Sequence, residues 1–135
     1  MLDAPGRRQD EDGEQARAHE VSRELGGAAR LLEAGCDYVL VTGTHEPGEQ
    51  VVNVLYDAGG VVREDRWPRL PGSYHGSGCT LASAVAAALA NGLGVPEAAR
   101  EAQEYTWQAL AAGFRTGAGQ AIPDRFYWAR EGAQE

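Results

Sequence analysis

Residues 74 to 89 read Tyr74-His75-Gly76-Ser77-Gly78-Cys79-Thr80-Leu81-Ala82-Ser83-Ala84-Val85-Ala86-Ala87-Ala88-Leu89. Glycine has no Cβ atom, so Gly76 and Gly78 allow turn conformations in which consecutive N–H groups point at one place. The alanine-rich run predicts a helix over residues 79 to 90, and the positive end of its dipole would lie at the same place. The pattern therefore predicts a phosphate-binding turn at the start of a helix.

Composition narrows the class of protein. The chain has 135 residues, of which 43% are hydrophobic and 24% are charged, and these values are ordinary for one globular domain. The net charge of −8 argues against a nucleic-acid partner, because a phosphate backbone needs a basic surface. Two cysteines without a CxxC pair, no secretory leader and no apolar run of membrane-spanning length predict a soluble cytoplasmic protein that binds no membrane.

The residues before the turn predict one helix and three strands. Residues 19 to 33 have the apolar spacing of a helix. Residues 37 to 42 form a continuous apolar run, which is typical of a strand covered on both faces in a parallel sheet. Residues 51 to 56 and 61 to 67 are rich in β-forming residues and predict a hairpin around Asp57-Ala58-Gly59-Gly60.

The residues after the turn predict a further helix. The helix predicted over residues 79 to 90 should end at Asn91-Gly92, and Pro96 should open the next helix, which runs to Gly113. The inner face of this next helix is predicted from four-residue spacing, and its members are Ala98, Ala102, Tyr105, Ala109 and Ala112. For Tyr105 and the nearby Trp107, packing is the default interpretation. The tail after residue 115 contains an aromatic cluster, Phe126-Tyr127-Trp128.

Four reactive side chains have two interpretations each. Cys79 falls at the first turn of the predicted helix, where its thiol would stand beside developing negative charge, but a cytosolic cysteine is more often a small buried hydrophobic residue. For Cys36, which precedes a predicted buried strand, we adopt the buried interpretation. His45 follows the carboxyl end of that strand, where ligands bind in α/β sheets, and His75 adjoins the turn. Each histidine can contact a ligand or only order its loop.

Spacing excludes several familiar sites. Ser77 lacks the flanking glycines of a nucleophile elbow. Residues 76 to 81 lack the third glycine of a dinucleotide fingerprint, and residues 43 to 50 have the glycine spacing of a P-loop without its lysine. Three histidines and two cysteines show no metal-ligand spacing, so no metal ligands are predicted. The bland alternative for the glycine-rich turn, a cap at a tightly packed helix start, stays open.

Three motifs in one order resemble a known family. Val39-Leu40-Val41-Thr42-Gly43-Thr44-His45, Asn53-Val54-Leu55-Tyr56-Asp57 and His75-Gly76-Ser77-Gly78-Cys79-Thr80 are similar to segments of the hydroxymethylpyrimidine/phosphomethylpyrimidine kinases of thiamine biosynthesis. The resemblance implies an α/β fold, a ribokinase-like three-layer α/β/α architecture of which only the C-terminal half is present. We expect that half in residues 19 to 130, after a disordered lead-in at 1 to 18 and before a tail at 131 to 135.

The resemblance also implies a chemistry. It implies ATP and Mg²⁺ as co-substrate and metal, and phosphoryl transfer to the hydroxymethyl group of a small pyrimidine or to its monophosphate. The residues that match the family's catalytic positions are Gly76, Ser77, Gly78 and Cys79. The residues that match its cofactor-binding positions are Thr42, Gly43, His45, His75 and Thr80. Sugar kinases of the same fold carry an aspartate base at the position of Cys79, and we expect the weaker thiol to orient the acceptor hydroxyl.

Two departures from the family pattern leave alternatives open. Many members have lysine where this chain has Thr42, so one phosphate contact is missing or made by a hydroxyl. The family fold is about twice as long, and its first half would hold an acidic motif near magnesium. We therefore expect a homo-oligomer or a missing N-terminal half, with no activity for this chain alone. The alternatives are a non-catalytic nucleotide-binding or association module and a pyridoxal-kinase-like enzyme, which Cys79 disfavours.

Overall fold

The computed structural model describes residues 25 to 131, and within that range the chain forms four helices and five strands. In chain order these are α1 (residues 25 to 33), β1 (Val39–Thr42), β2 (Gln50–Asp57), β3 (Gly60–Pro68), α2 (Ser77–Ala90), α3 (Val95–Ala111), β4 (Phe114–Arg115), β5 (Ala121–Ile122) and α4 (Tyr127–Glu131). No helix among these residues is long and apolar enough to cross a membrane.

Three predictions concern chain ends that fall outside the described residues. They are the disordered lead-in at residues 1 to 18, the beginning of the helix predicted over 19 to 33, and most of the tail at 131 to 135. The later part of that helix is present as α1.

The first three strands form one antiparallel sheet in the order β1-β2-β3. The predicted hairpin is confirmed, because β2 and β3 pair along their length and Asp57 lies opposite Gly60 at the turn. The turn is closed by the side chain of Asp57, whose Oδ1 accepts a hydrogen bond from the amide of Gly59 at 2.8 Å. Gly60 has a φ of 116°, which explains why glycine stands there.

Within the described residues, the expectation of a parallel neighbour and two covered faces for β1 is wrong. β1 runs antiparallel to β2, with Val39 opposite Tyr56, and its apolar side chains are only half-buried. The cause lies in the connection. The loop of residues 43 to 49 is short enough to join antiparallel neighbours, whereas a parallel pair needs a crossover of about a dozen residues or more. An apolar run shows that a strand tolerates apolar surroundings but not which way its neighbour runs.

Helix α2 begins two residues earlier than predicted, at Ser77, and ends as predicted, at Asn91-Gly92. Gly76 caps its start with a φ of 89°, in the left-handed region that favours glycine. Gly92, with a φ of 93°, follows its last turn. The helix packs against α3, and its alanine content allows that close approach.

The inner face of α3 is more polar than predicted. Ala98, Ala102 and Ala109 are buried as expected, but Tyr105 is half-buried and Ala112 is exposed. The remaining buried positions of this helix are Ala99, Gln103 and Thr106. The polar side chains of Gln103 and Thr106 can be buried because they are hydrogen-bonded. The Thr106 hydroxyl, for example, donates to the carbonyl of Ala102 at 2.7 Å.

The expectation for Cys36 was also wrong, because its thiol is exposed. Cys36 follows Gly35, whose φ of 112° ends α1, and it lies in the turn before β1 rather than under the sheet.

The short strands β4 and β5, which the sequence did not predict, pair with each other. β5 also contacts the segment just before α2. Ala121 of β5 bridges Tyr74, and its carbonyl accepts a hydrogen bond from the amide of His75 at 2.9 Å. The chain after α3 is thereby tied to the start of α2.

The packing predicts which alanines tolerate a larger side chain. Ala98 is completely buried on α3, so Ala98→Leu should lower the free energy of unfolding by about 1 to 3 kcal/mol through overpacking. The exposed Ala86 on α2 is the matched control, and Ala86→Leu should change stability by less than about 0.5 kcal/mol. Urea denaturation of both variants measures the difference, and equal stabilities would contradict this packing.

Candidate active site

A cleft of about 430 Å³ opens between the loop after β1, the end of β3, the start of α2 and the second half of α3. Four of the predicted site residues line it, namely Thr42, His45, Ser77 and Gly78. Residues from the first and the third sequence motif therefore meet at one concave surface, which is the usual form of a small-molecule site.

The start of α2 presents three backbone donors at the edge of this cleft. Within residues 25 to 131, the amides of Ser77, Gly78 and Cys79 have no hydrogen-bond acceptor, and no side chain caps the helix. The amides on either side are occupied, since His75 bonds to Ala121 and Thr80 bonds to the carbonyl of Gly76 at 3.0 Å. Three consecutive free N–H groups at a helix N-terminus are suited to an anion, and we call residues 76 to 79 the cradle.

Thr80 supports the cradle from below. Its side chain is buried, and its hydroxyl donates to the carbonyl of Gly76 at 2.7 Å and accepts from Nε of Arg125 at 3.2 Å. A Cβ atom on Gly76 would lie 3.1 Å from a terminal nitrogen of Arg125, so the guanidinium lies next to the cradle. Tyr105 holds the other side of Arg125 by donating its hydroxyl to the Arg125 carbonyl at 2.7 Å.

Arg125 is a residue that sequence reasoning missed. Within residues 25 to 131 no carboxylate forms an ion pair with it, because the neighbouring Asp124 pairs with Arg130 at 3.2 Å. A positive charge without an acidic partner therefore stands beside three free amides. Nothing in the local sequence indicated this, since Arg125 lies 45 positions after Thr80 and is brought there by β4, β5 and the following turn.

The five remaining predicted residues are not among those that line the cleft, and they are Gly43, His75, Gly76, Cys79 and Thr80. Cys79 is exposed at the first turn of α2, so the expectation of a buried hydrophobic thiol does not apply to it. His75 is exposed, and its backbone is bound to β5. Gly43 is the buried first residue of the loop after β1, and a Cβ atom there would lie 2.3 Å from the carbonyl oxygen of Val52. Only glycine fits at position 43 without moving β2.

The loop that carries His45 is held by one arginine. The guanidinium of Arg69 donates to three loop carbonyls, those of Thr44 at 2.9 Å, Glu46 at 2.5 Å and Gly48 at 2.8 Å. The backbone amide of Arg69 also donates to Glu49 at 2.8 Å. Arg69 therefore fixes the wall opposite the cradle, and its donors are engaged within the protein. No local sequence pattern indicates this contact, which joins residues more than 20 positions apart.

Aromatic side chains form a further wall of the cleft. The rings of Trp67 and Trp107 stack with centroids 6.3 Å apart, and the guanidinium of Arg100 lies 4.5 Å above the Trp67 ring. Nε1 of Trp107 donates to the carbonyl of Pro68 at 2.9 Å, which fixes that ring. Stacked rings offer a flat apolar surface on which a planar heterocycle can lie.

Among the described residues, no Asp or Glu lines the cleft. The same part of the chain brings together no group of three or more His, Cys, Asp and Glu side chains that could hold a metal ion. Residues 25 to 131 therefore do not fit a magnesium site. A negatively charged ligand in this cleft would be bound by amides and nearby arginine rather than through a metal held by these residues.

Comparison with known proteins agrees with the fold and the motif order. Residues 14 to 124 match the phosphomethylpyrimidine kinase family. The hydroxymethylpyrimidine/phosphomethylpyrimidine kinase of Streptomyces coelicolor is 45% identical over 96 residues, which cover 68% of this chain and 34% of that protein. The pyridoxine kinase of Bacillus subtilis is 39% identical over 96 residues, covering 70% of this chain and 35% of that protein.

A solved structure shows the same architecture. The pyridoxal kinase of Staphylococcus aureus in complex with AMP-PCP superposes with a TM-score of 0.71 and 26% identity over 76% of this chain and 38% of that one. The architecture is thus part of a ribokinase-like α/β fold. The chain spans about a third of the length of the Streptomyces coelicolor and Bacillus subtilis relatives. Over that span, the chain belongs to the phosphomethylpyrimidine kinase family.

Proposed function

We propose that this chain carries the nucleotide-binding and phosphoryl-transfer part of a cytoplasmic kinase that phosphorylates hydroxymethylpyrimidine, or its monophosphate, in thiamine biosynthesis. One observation carries the proposal. The amides of Ser77, Gly78 and Cys79 are free within the described residues, and two of these residues line the cleft. Phosphoryl transfer depends mainly on positioning and on neutralising charge over the equatorial oxygens, and free backbone amides at the start of a helix can supply both.

Each residue of the proposed site has a role that its contacts support. The cradle amides would hold the migrating phosphoryl group, with the dipole of α2 behind them. Arg125 would add the positive charge that is missing where Thr42 replaces the lysine of many relatives. Thr80 would hold both parts together, because its hydroxyl already bonds to Gly76 and Arg125. The exposed thiol of Cys79 would orient the acceptor hydroxyl.

The phosphate-facing loop would come from the opposite wall. Thr42 and His45 line the cleft, and we assign them, with Gly43 between, to the nucleotide phosphates. His75 stays a candidate for the same ligand because it adjoins the cradle. The family relative solved with AMP-PCP supports ATP as the donor. We assign no magnesium ligand to this chain, since the described residues that line the cleft include no carboxylate.

The acceptor contacts would come from elsewhere. β1 pairs only with β2 in the described part of the chain, so its other edge is available to a further strand. We propose that a second polypeptide or a second copy of this chain completes the acceptor pocket. The alternative is a module that binds nucleotide, or associates with partners, without catalysis.

A pyridoxal or pyridoxine kinase is the second candidate, and it is favoured by the similarity to the Bacillus subtilis enzyme. The thiol of Cys79 argues against it, because many enzymes of that kind have an aspartate at this position. The two candidates share the donor site and differ in the acceptor, so one assay with both acceptors separates them.

The cradle predicts that a side chain on Gly78 will block phosphate without harming the fold. A Cβ atom there meets nothing within 4 Å, so Gly78→Ala and Gly78→Leu should keep or raise stability, since glycine costs up to about 1 kcal/mol in a helix. AMP-PCP affinity, measured by isothermal titration calorimetry, should fall at least about tenfold in Gly78→Leu, with a smaller loss in Gly78→Ala.

Gly27→Ala in α1 is the matched control for this pair. It makes the same chemical change in a helix, and a Cβ atom on Gly27 also meets nothing within 4 Å. Its AMP-PCP affinity should equal that of the parent. Parent-like affinity in Gly78→Leu would show that the cradle does not hold the nucleotide phosphates.

The catalytic assignment predicts the behaviour of a chimera. The 96-residue segment of the Streptomyces coelicolor relative that matches this chain can be replaced by the corresponding residues of this chain. The chimera should phosphorylate hydroxymethylpyrimidine with ATP, whereas the 135-residue chain alone should form no measurable product. Cys79→Ala in the chimera should lower kcat by about 10- to 100-fold and leave KM for ATP within about threefold, because an orienting thiol contributes less than a full general base.

Product formation with hydroxymethylpyrimidine, its monophosphate and pyridoxal, each followed by chromatography, checks these outcomes. A folded chimera that phosphorylates only pyridoxal would favour the second candidate. A kcat for Cys79→Ala equal to that of the parent would remove Cys79 from the reaction.

A further inference from the structure

Three buried polar side chains form a connected group between the sheet, α3 and the cleft. Asn53 on β2, Asp65 on β3 and Gln103 on α3 have only 7%, 8% and 3% of their surface exposed. Burial of polar groups is costly unless they are hydrogen-bonded, and in residues 25 to 131 every fully buried side-chain polar atom has a partner. Asn53 and Gln103 also line the cleft, whereas Asp65 does not, and none of the three has been given a role so far.

The three side chains form a hydrogen-bonded chain with a defined direction. Asp65 can only accept, so it takes a hydrogen bond from Nε2 of Gln103 at 3.0 Å. Oε1 of Gln103 then faces the other way and accepts from Nδ2 of Asn53 at 2.9 Å. Oδ1 of Asn53 is left as the acceptor for the amide of Gly43 at 3.1 Å. The carboxylate at one end thus decides which atom meets the backbone at the other.

Two flanking groups reinforce this direction. The indole of Trp67 donates to Oε1 of Gln103 at 3.0 Å, and Nε2 of Gln103 also donates to the carbonyl of Ala99 at 3.0 Å. Both ends of the Gln103 amide are therefore specified twice. A rotated amide would place donor against donor and acceptor against acceptor.

Arginines compensate the buried carboxylate. Arg63 donates to both oxygens of Asp65 at 2.8 Å, and its third contact is to the carbonyl of Pro96 at 3.2 Å. The hydrogen bond to Asp65 raises the pKa of Arg63, so the guanidinium keeps its proton at all ordinary pH values. Nε of Arg100 lies 3.7 Å from the same carboxylate. The negative end of the chain is thereby fixed in place.

We propose that Asp65, Gln103 and Asn53 are positioning residues that hold the segment of residues 42 to 45 in its binding geometry. The step from structure to function is short, because Asn53 bonds to Gly43, and the other three residues of this segment line the cleft. The inference rests on the proposed function only for its consequence, which is nucleotide affinity. The effect on the Gly43 amide follows from the hydrogen bonds alone.

Gln103→Glu breaks the chain with almost no change of shape. A glutamate at 103 has no donor for Asp65, so two carboxylates would face each other across a hydrogen-bonding distance. The glutamate must move or take up a proton, and Asn53 loses its fixed partner. Gln103→Met is the uncharged counterpart of this change. It removes both ends of the amide, so Asn53 again loses its partner, while Asp65 keeps its hydrogen bonds from Arg63.

The test uses the ¹⁵N-labelled 135-residue chain in four forms, namely the parent, Gln103→Glu, Gln103→Met and Gln108→Glu. Gln108 is exposed on the same helix, so Gln108→Glu is the matched control for the charge change. Amide hydrogen exchange measures the protection of Gly43 relative to the amides of β2, which separates a local effect from a general loss of stability. AMP-PCP affinity is measured on the same samples by calorimetry.

We expect the relative protection of Gly43 to fall at least tenfold in both Gln103→Glu and Gln103→Met and to stay within about threefold of the parent in the control. AMP-PCP affinity should follow the same order. Parent-like protection in the variants at position 103 would overturn the proposal. If Gln103→Glu does not fold, the same fall in Gln103→Met supports the proposal, and parent-like protection in Gln103→Met overturns it.

The two parts of the experiment fail separately. If the parent binds no AMP-PCP, the proposed function is lost, while the exchange data still decide whether the chain of hydrogen bonds positions Gly43. If AMP-PCP binds and its affinity is the same in every folded variant despite a loosened Gly43, the positioning role in binding is overturned.

Discussion

The left-handed backbone at Gly76 is the constraint on which the cleft depends. It turns the incoming chain directly into α2, whose first three amides have no acceptor within the described residues. A helix start normally satisfies these donors with a capping side chain or with solvent, and here no side chain caps it. A chain with a net charge of −8 can still offer an anion site in this way, because the donors are backbone groups and a helix end.

The two walls of the cleft are both built by tying backbone with side chains from distant parts of the chain. On the α2 side, Thr80 and Arg125 bond to each other next to Gly76. On the opposite side, Arg69 holds the carbonyls of the loop after β1, and Asn53 holds its first amide. These side chains hold backbone groups in place. The surface that a ligand would meet is therefore preorganised and needs little ordering on binding.

The elements that could be predicted from the sequence are those specified by local signals. The turn at Asp57 to Gly60, the proline and glycine boundaries of α3 and the cradle glycines each follow from the backbone preferences of a few adjacent residues. The direction of β1 and the position of Arg125 depend on where distant segments pack, and a single sequence carries no local sign of that. Cys36 shows the same limit, because its exposure depends on what covers the turn between α1 and β1.

The polar face of α3 shows why hydrophobic spacing was not a sufficient guide to the site. A helix packed only through alanines would bury apolar surface at less cost than one that buries Gln103 and, next to it, the carboxylate of Asp65, since replacing buried polar groups by apolar ones often stabilises a protein. An apolar side chain at 103, however, could not tell one orientation of Asn53 from the other. The hydrogen-bonded chain gives up some stability and in return specifies one arrangement of the backbone at Gly43, where Val52 leaves no room for a Cβ atom. Sequence patterns that score burial alone therefore miss the residues that connect the core of this fold to its cleft.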